Sequence, residues 1–184
     1  MSSTNTASLL FELGTEELPA GSLKTMALAL RDGICKGLEE RGLTLESVDW
    51  FATPRRLAVL ATGVTRVAPD SHEQILGPPA QAAKDADGNW TGAAQGFARK
   101  HGIDPDALDI LDSDKGPRLG LNRIVPGARI EDCAEDIIST AVAQIPVAKR
   151  MRWGRSRSEF LRPVQWLVAL LDDAVIPVTL FDLT

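Results

Sequence analysis

A chain of 184 residues that is 44% hydrophobic and 24% charged has room for one ordinary domain or two small ones and enough apolar content to bury a core, which excludes disorder. Its 15 Gly and 11 Pro follow no period and no uncharged apolar run reaches ~18 residues, which sets aside collagen-like and helical membrane-spanning classes. The net charge of −5 argues against a general nucleic-acid coat protein, yet it hides an asymmetry: residues 149–162 carry +5 and the remainder −10.

Met1 to Ser8 is polar and has no cation ahead of an apolar segment, the pattern of neither a secretory signal nor an Arg-rich transit peptide, so a cytoplasmic location with no membrane partner is expected. Ser8 to Leu13 reads as a strand ended by Gly14. Leu23, Met26, Ala27, Leu30, Ile34 and Leu38 then recur at spacings of three and four, which predicts an amphipathic helix with Ser22 as its N-cap and Gly42 as its stop. Val48 to Thr53 and Leu57 to Val64 read as strands joined too tightly for a crossover helix, hence a hairpin. Pro69 to Ala80 reads as a loop and Asp85 to Asn89 as a turn, and the stretch 69–89 is a candidate lobe boundary.

Thr91 to His101 is a short helical candidate, and Asp104-Pro105 has the form that opens another. Gly116 to Val125 reads as a strand, and Ile130 to Gln144 as an amphipathic helix closed by Pro146. Met151 to Trp153, Phe160 to Leu171 and Val175 to Phe181 read as strands, the last two joined by a turn at Leu171 to Ala174. Apparent hairpins without a regular βαβ rhythm predict an α+β fold: a mixed, mainly antiparallel sheet, two longer amphipathic helices and short extra helices, in one region spanning 1–184.

Catalytic signatures are missing: the sequence holds no phosphate-binding glycine loop, nucleophile elbow or zinc-binding helix motif. His72 and His101 have no partner at metal-ligand spacing, so no metal site and no catalytic residue is expected. Cys35 and Cys133 lie far apart and read as buried free thiols. Glu16-Glu17 precede a helix, where carboxylates are favourable, the leading reading; binding of a cation or an arginine is the other. Thr53-Pro54-Arg55-Arg56 projects two guanidiniums from a strand junction, to hold phosphate or carboxylate bidentately or to pair with acids of the chain. Lys149, Arg150, Arg152 and Arg155 interleave with Trp153, the pattern of a phosphate-binding surface with a stacking aromatic; a guarded strand edge is the other reading. Trp166, in an apolar run, reads as core.

Phe11 to Pro19 (FELGTEELP), Trp50 to Leu57 (WFATPRRL), Gly77-Pro78-Pro79, Asp114-Lys115-Gly116, Met151 to Gly154 (MRWG) and Phe160 to Val164 (FLRPV) follow in this order. Together they closely resemble the N-terminal region of the bacterial glycyl-tRNA synthetase beta subunit, over residues 8 to 182. The resemblance implies a piece of a several-fold longer subunit in a heterotetramer of two alpha and two beta chains. Alpha would use ATP and Mg, and beta would position tRNA for glycine, so this segment binds no cofactor and is inactive alone. Arg157-Ser158-Glu159 spells the Arg-x-Glu of a class II motif, but its flanks differ and the family keeps that motif in the other subunit. On residue chemistry Arg55, Arg56, Lys149, Arg150, Arg152, Trp153, Arg155 and Arg162 are the expected RNA contacts. The alternative is a non-enzymatic interaction module whose arginines face an acidic protein partner without RNA.

Overall fold

The computed structural model describes residues 5–154 and 158–184, so Arg155 and Arg157 lie outside the described residues. The chain divides into two compact units, 1–69 with 127–184 and, inserted between them, 70–126.

The first unit is built on a five-stranded antiparallel sheet. Its strands are β1 (Thr6–Thr15), β2 (Ser47–Thr53), β3 (Arg56–Thr65), β9 (Val164–Leu171) and β10 (Ala174–Val175), in the order β10-β9-β1-β3-β2. Two helices complete it, α1 (Leu23–Glu39) after β1 and α3 (Ile130–Ala143) after the insertion. Because β1 and β2 each run antiparallel to β3, they are parallel to one another with β3 between them. That is a split βαβ, and α3 followed by β9 completes the ferredoxin-like succession β-α-β-β-α-β.

The pleat assigns the two faces. Leu9, Phe11 and Leu13 of β1 pair across with Ala61, Val59 and Leu57 of β3 and with Leu171, Ala169 and Leu167 of β9, and this apolar set packs with Met26, Leu30 and Ile34 of α1 and Ile130, Ile137 and Ile138 of α3 in one core. The alternate residues share the other face: Glu12 stands opposite Ala58, and Ala58 opposite Phe51. Phe51 is 55% exposed there. The helices approach closely where α1 carries Gly33 and Gly37, the first against Ala141 and the second against Ile137. Gly42, at φ +70°, lets the chain turn after α1 as expected, whereas Ser22 stands at the N-cap without a side-chain capping bond.

In the inserted unit a three-stranded antiparallel sheet has the order β4-β6-β5, with β4 Ser71–Pro79, β5 Asp109–Leu111 and β6 Arg118–Val125. The helix α2 (Gly92–His101) is capped by the Thr91 side chain and stopped by left-handed Gly102. Its small core comprises Ala83, Ala94 and Leu119, with Trp90 and Leu108 against it. β4 corrects the expected loop at Pro69 to Ala80. Its prolines are tolerated because β4 is an edge strand and the ladder shifts between Leu76 and Pro79. There the Arg118 Nε donates to the Gly77 carbonyl at 2.7 Å.

Two other expectations shrink. Asp104-Pro105 opens only a single 3-10 turn, Pro105–Ala107, in which the Asp104 carboxylate accepts from the Asp106 amide at 2.9 Å. The strand expected over Val175 to Phe181 is confined to Ala174–Val175. Pro177 has no amide hydrogen to donate to a ladder, and Phe181 and Asp182 adopt positive φ, which ends any extended run.

Candidate functional site

Three segments far apart in sequence meet at one end of the five-stranded sheet. The Thr15 amide donates to the Arg55 carbonyl at 2.9 Å, the Leu18 amide to the Pro54 carbonyl at 2.6 Å and the Glu16 amide to the Pro163 carbonyl at 2.9 Å. The end of β1, the β2–β3 turn and the start of β9 are thereby joined through their backbones, and the side chains they carry converge. Gln165 Nε2 donates to Glu16 Oε1 at 3.0 Å, and Glu16 Oε2 lies 3.5 Å from Arg55 Nη2. Arg56 Nη1 lies 3.3 Å from Glu12 Oε2, and Arg162 Nε donates to the Glu17 carbonyl at 3.1 Å.

Between them is a cleft of about 470 Å³ whose lining includes Arg55, Arg56, Glu16, Gln165 and Trp166. Trp166 is 40% exposed, which corrects its expected place in the core. The reason is its register: it pairs with Gly14 of β1, on the face turned away from the helices. A Cβ on Gly14 would sit 2.1–2.4 Å from three atoms of the indole. Nearly equal distances to three ring atoms put the ring face-on over the glycine, so the opposite indole face looks away from the sheet. Thr15, also in the lining, is 3% exposed and buries a hydroxyl that has no hydrogen-bond partner among the described residues.

Of the expected contact residues, Arg55, Arg56 and Arg162 gather at this end of the sheet. Arg152 stands elsewhere, on a short hairpin of β7 (Met151–Arg152) and β8 (Glu159–Phe160), and Lys149 and Arg150 lie in the segment that leads into it. All three are exposed. Arg152 Nε donates to Glu159 Oε1 at 2.5 Å across the hairpin, and Arg150 reaches the carbonyls of Glu159 and Ala143 at 3.5 and 3.4 Å. Lys149 has no partner among the described residues. Trp153 packs: its ring lies 5.8 Å from Phe181, which lies 5.6 Å from Phe160, and it borders the core. Its indole therefore serves the fold of the hairpin base.

Glu16 takes the arginine-binding course of the two its sequence left open. Position alone did not reveal Gln165 or Trp166 as cleft residues; the signal that finds Trp166 is its cross-strand pairing with Gly14, which a linear reading does not contain.

The chemistry on offer is binding. Guanidinium, carboxylate, amide, hydroxyl and indole groups line the cleft. The histidines belong to the inserted unit: His72 is exposed on β4, and His101 closes α2 with its ring 4.8 Å from Phe97. Among the described residues no group of three or more His, Cys, Asp or Glu could hold a metal ion, and no helix is long and apolar enough to cross a membrane. The two cysteines are free and half-buried, less enclosed than expected. Desolvation pushes both thiols up from their ordinary value; nearby Arg31 partly offsets this at Cys35 and Arg41 at Cys133.

Comparison with known proteins gives this arrangement its context. The family model described as glycyl-tRNA synthetase beta subunit matches residues 9–184. The glycine–tRNA ligase beta subunit of Pseudomonas fluorescens is 46% identical over 171 residues, 93% of this chain and 24% of the relative. That of Xanthomonas campestris is 45% identical over 174 residues, 94% of this chain and 25% of the relative, and that of Marinobacter nauticus 42% over 178 residues, 97% and 26%. The chain thus spans about a quarter of the length of these relatives. With the match running through the strands, helices and cleft described above, the chain belongs to the glycyl-tRNA synthetase beta subunit family.

Proposed function

We propose that this chain is the N-terminal part of a glycine–tRNA ligase beta subunit and contributes to ATP-dependent glycylation of tRNA by holding RNA in position. It supplies no acid, base or nucleophile. ATP and Mg belong to the alpha subunit of a cytoplasmic heterotetramer of two alpha and two beta chains. The observation that carries this reading is the β7–β8 hairpin and the segment leading into it, where Lys149, Arg150 and Arg152 stand exposed on an otherwise acidic body with Glu159 facing Arg152. Exposed cations meet phosphates through counterion release, which makes the binding steeply salt-dependent.

The test is titration of labelled tRNA specific for glycine at two salt concentrations, with the wild-type chain and with Lys149→Glu/Arg152→Glu. Each phosphate contact contributes about 0.7–0.9 to the slope of log K against log salt, so the double variant should lower the slope by about 1.4–1.8. An unchanged slope refutes the hairpin as an RNA contact. A second reading, docking onto an acidic protein surface, is favoured by Arg152 already pairing with a carboxylate, that of Glu159. It predicts that the double variant loses assembly with the alpha subunit while RNA affinity is kept.

A further inference from the structure

The cleft at the end of β1 has features that the hairpin lacks. Its floor carries an aromatic ring pinned flat: Trp166 covers Gly14 with one face and leaves the other open. A large aromatic held out on the uncovered face of a sheet, opposite a residue with no side chain, is a platform whose free face invites another flat π-system. Arg55 and Arg56 stand beside it, 65% and 49% exposed, with ion pairs of 3.5 and 3.3 Å to Glu16 and Glu12. Exposed pairs at such distances hold their partners weakly and exchange readily for a phosphate, which accepts from the guanidinium fork bidentately. Gln165 spends its amide N–H on Glu16, which leaves its carbonyl oxygen to accept from an exocyclic amine. The cleft volume of about 470 Å³ falls within the range of small-ligand sites.

We propose that this cleft binds a purine nucleotide, with the base stacked on Trp166 and the phosphate against Arg55 and Arg56. A purine is favoured over a pyrimidine because its two fused rings overlap an indole more fully. The nucleotide has two sources, a free mononucleotide or an unpaired residue of an RNA strand; the second rests on the RNA role proposed above, and the first does not.

The experiment follows Trp166 fluorescence in the 184-residue chain during titration with AMP, adenosine and a short oligoadenylate, the Trp166→Phe chain supplying the emission of the other three tryptophans as background. Saturable quenching by AMP is expected, about tenfold weaker for adenosine, with the preference for AMP abolished in Arg55→Ala. Trp166→Ala, followed by calorimetric titration, should lose at least about fivefold in affinity, the low end of what one stacked base contributes. Because Arg55 is a surface residue, its variant keeps the test decisive if Trp166→Ala perturbs folding. Saturation by AMP alone identifies a free nucleotide, and saturation by the oligonucleotide alone identifies a strand. No saturation by either, affinity unchanged in Trp166→Ala, or a Trp166 response only to the alpha subunit would overturn the proposal. Because these variants leave Lys149 and Arg152 intact, salt-dependent tRNA binding that survives alongside a silent cleft separates failure here from failure of the hairpin.

Discussion

Replacing Gly33 by Ala tests whether α1 and α3 are held together through their backbones. A Cβ at position 33 would stand 2.8 Å from the Ala141 Cβ and 2.9 Å from the Ala141 Cα. Carbon atoms prefer separations of about 3.5–4.0 Å, so one helix must back away by ~0.7–1 Å. Neither obstacle can rotate aside, since one is backbone and the other a methyl fixed to it. Overpacking of this kind costs about 1–3 kcal/mol, while Ala in place of a helical Gly returns about 0.8–1 kcal/mol. The net expectation is a loss of up to about 2 kcal/mol, or a fall of up to roughly 8 °C in Tm for a domain of this size. Gly96, also inside a helix, has nothing within 4 Å of where its Cβ would be. There the same substitution should stabilise its own unit by about 1 kcal/mol. Urea unfolding, followed by far-UV circular dichroism and by tryptophan emission, reads both variants. Adding Ala141→Gly to Gly33→Ala should recover most of the packing loss, as expected of residues in direct contact. If Gly33→Ala were instead as stabilising as Gly96→Ala, the close helix approach would be refuted.

Thr91 caps α2 by accepting from the Ala94 amide at 3.5 Å while its hydroxyl donates to the Ala82 carbonyl at 2.7 Å. Thr91→Ala should therefore destabilise the inserted unit by about 1 kcal/mol, checked by hydrogen exchange across 92–101, with Thr91→Ser restoring protection. Cys35 and Cys133 should react with iodoacetamide more slowly in the native chain than in urea at the same pH, because desolvation raises both folded-state pKa values and lowers the thiolate fraction. The sign for stability follows: the unfolded chain releases these protons at lower pH than the folded one. Their contribution is full below the unfolded pKa and lost as pH rises through the folded one, so Cys35→Ser/Cys133→Ser should flatten the alkaline fall in stability seen by urea titration.

Legibility followed the range of the forces involved. Both long helices stand where spacings of three and four placed them, because an amphipathic stripe such as Met26, Leu30 and Ile34 is a local pattern whose only solution is one buried face. The β2–β3 hairpin was equally legible, since the three residues Pro54, Arg55 and Arg56 between two apolar runs leave no room for another connection. Edge strands were not. β4 reads as a loop because its Gly77-Pro78-Pro79 segment opposes pairing, and only β6, more than thirty residues later, supplies a ladder for the rest of it. Tertiary pairing then outweighs local propensity.

Trp166 carries the same argument to the site. In sequence it lies within Val164 to Leu171, where an apolar aromatic next to leucines and valines belongs to a core by every local criterion. What turns it outward is the two-residue period of the sheet combined with a register in which Gly14 stands opposite. The glycine in turn is needed because nothing larger fits beneath the ring. Two positions 152 residues apart therefore make one platform, and Arg55 and Arg56 complete its surroundings from a third segment. The quoted words FELGTEELP, WFATPRRL and FLRPV read separately as a strand end, a turn and an arginine before a proline. Their joint meaning exists only once β1 has paired with β3 on one side and β9 on the other, which makes the central strand β1 the element that converts three unremarkable segments into one binding surface.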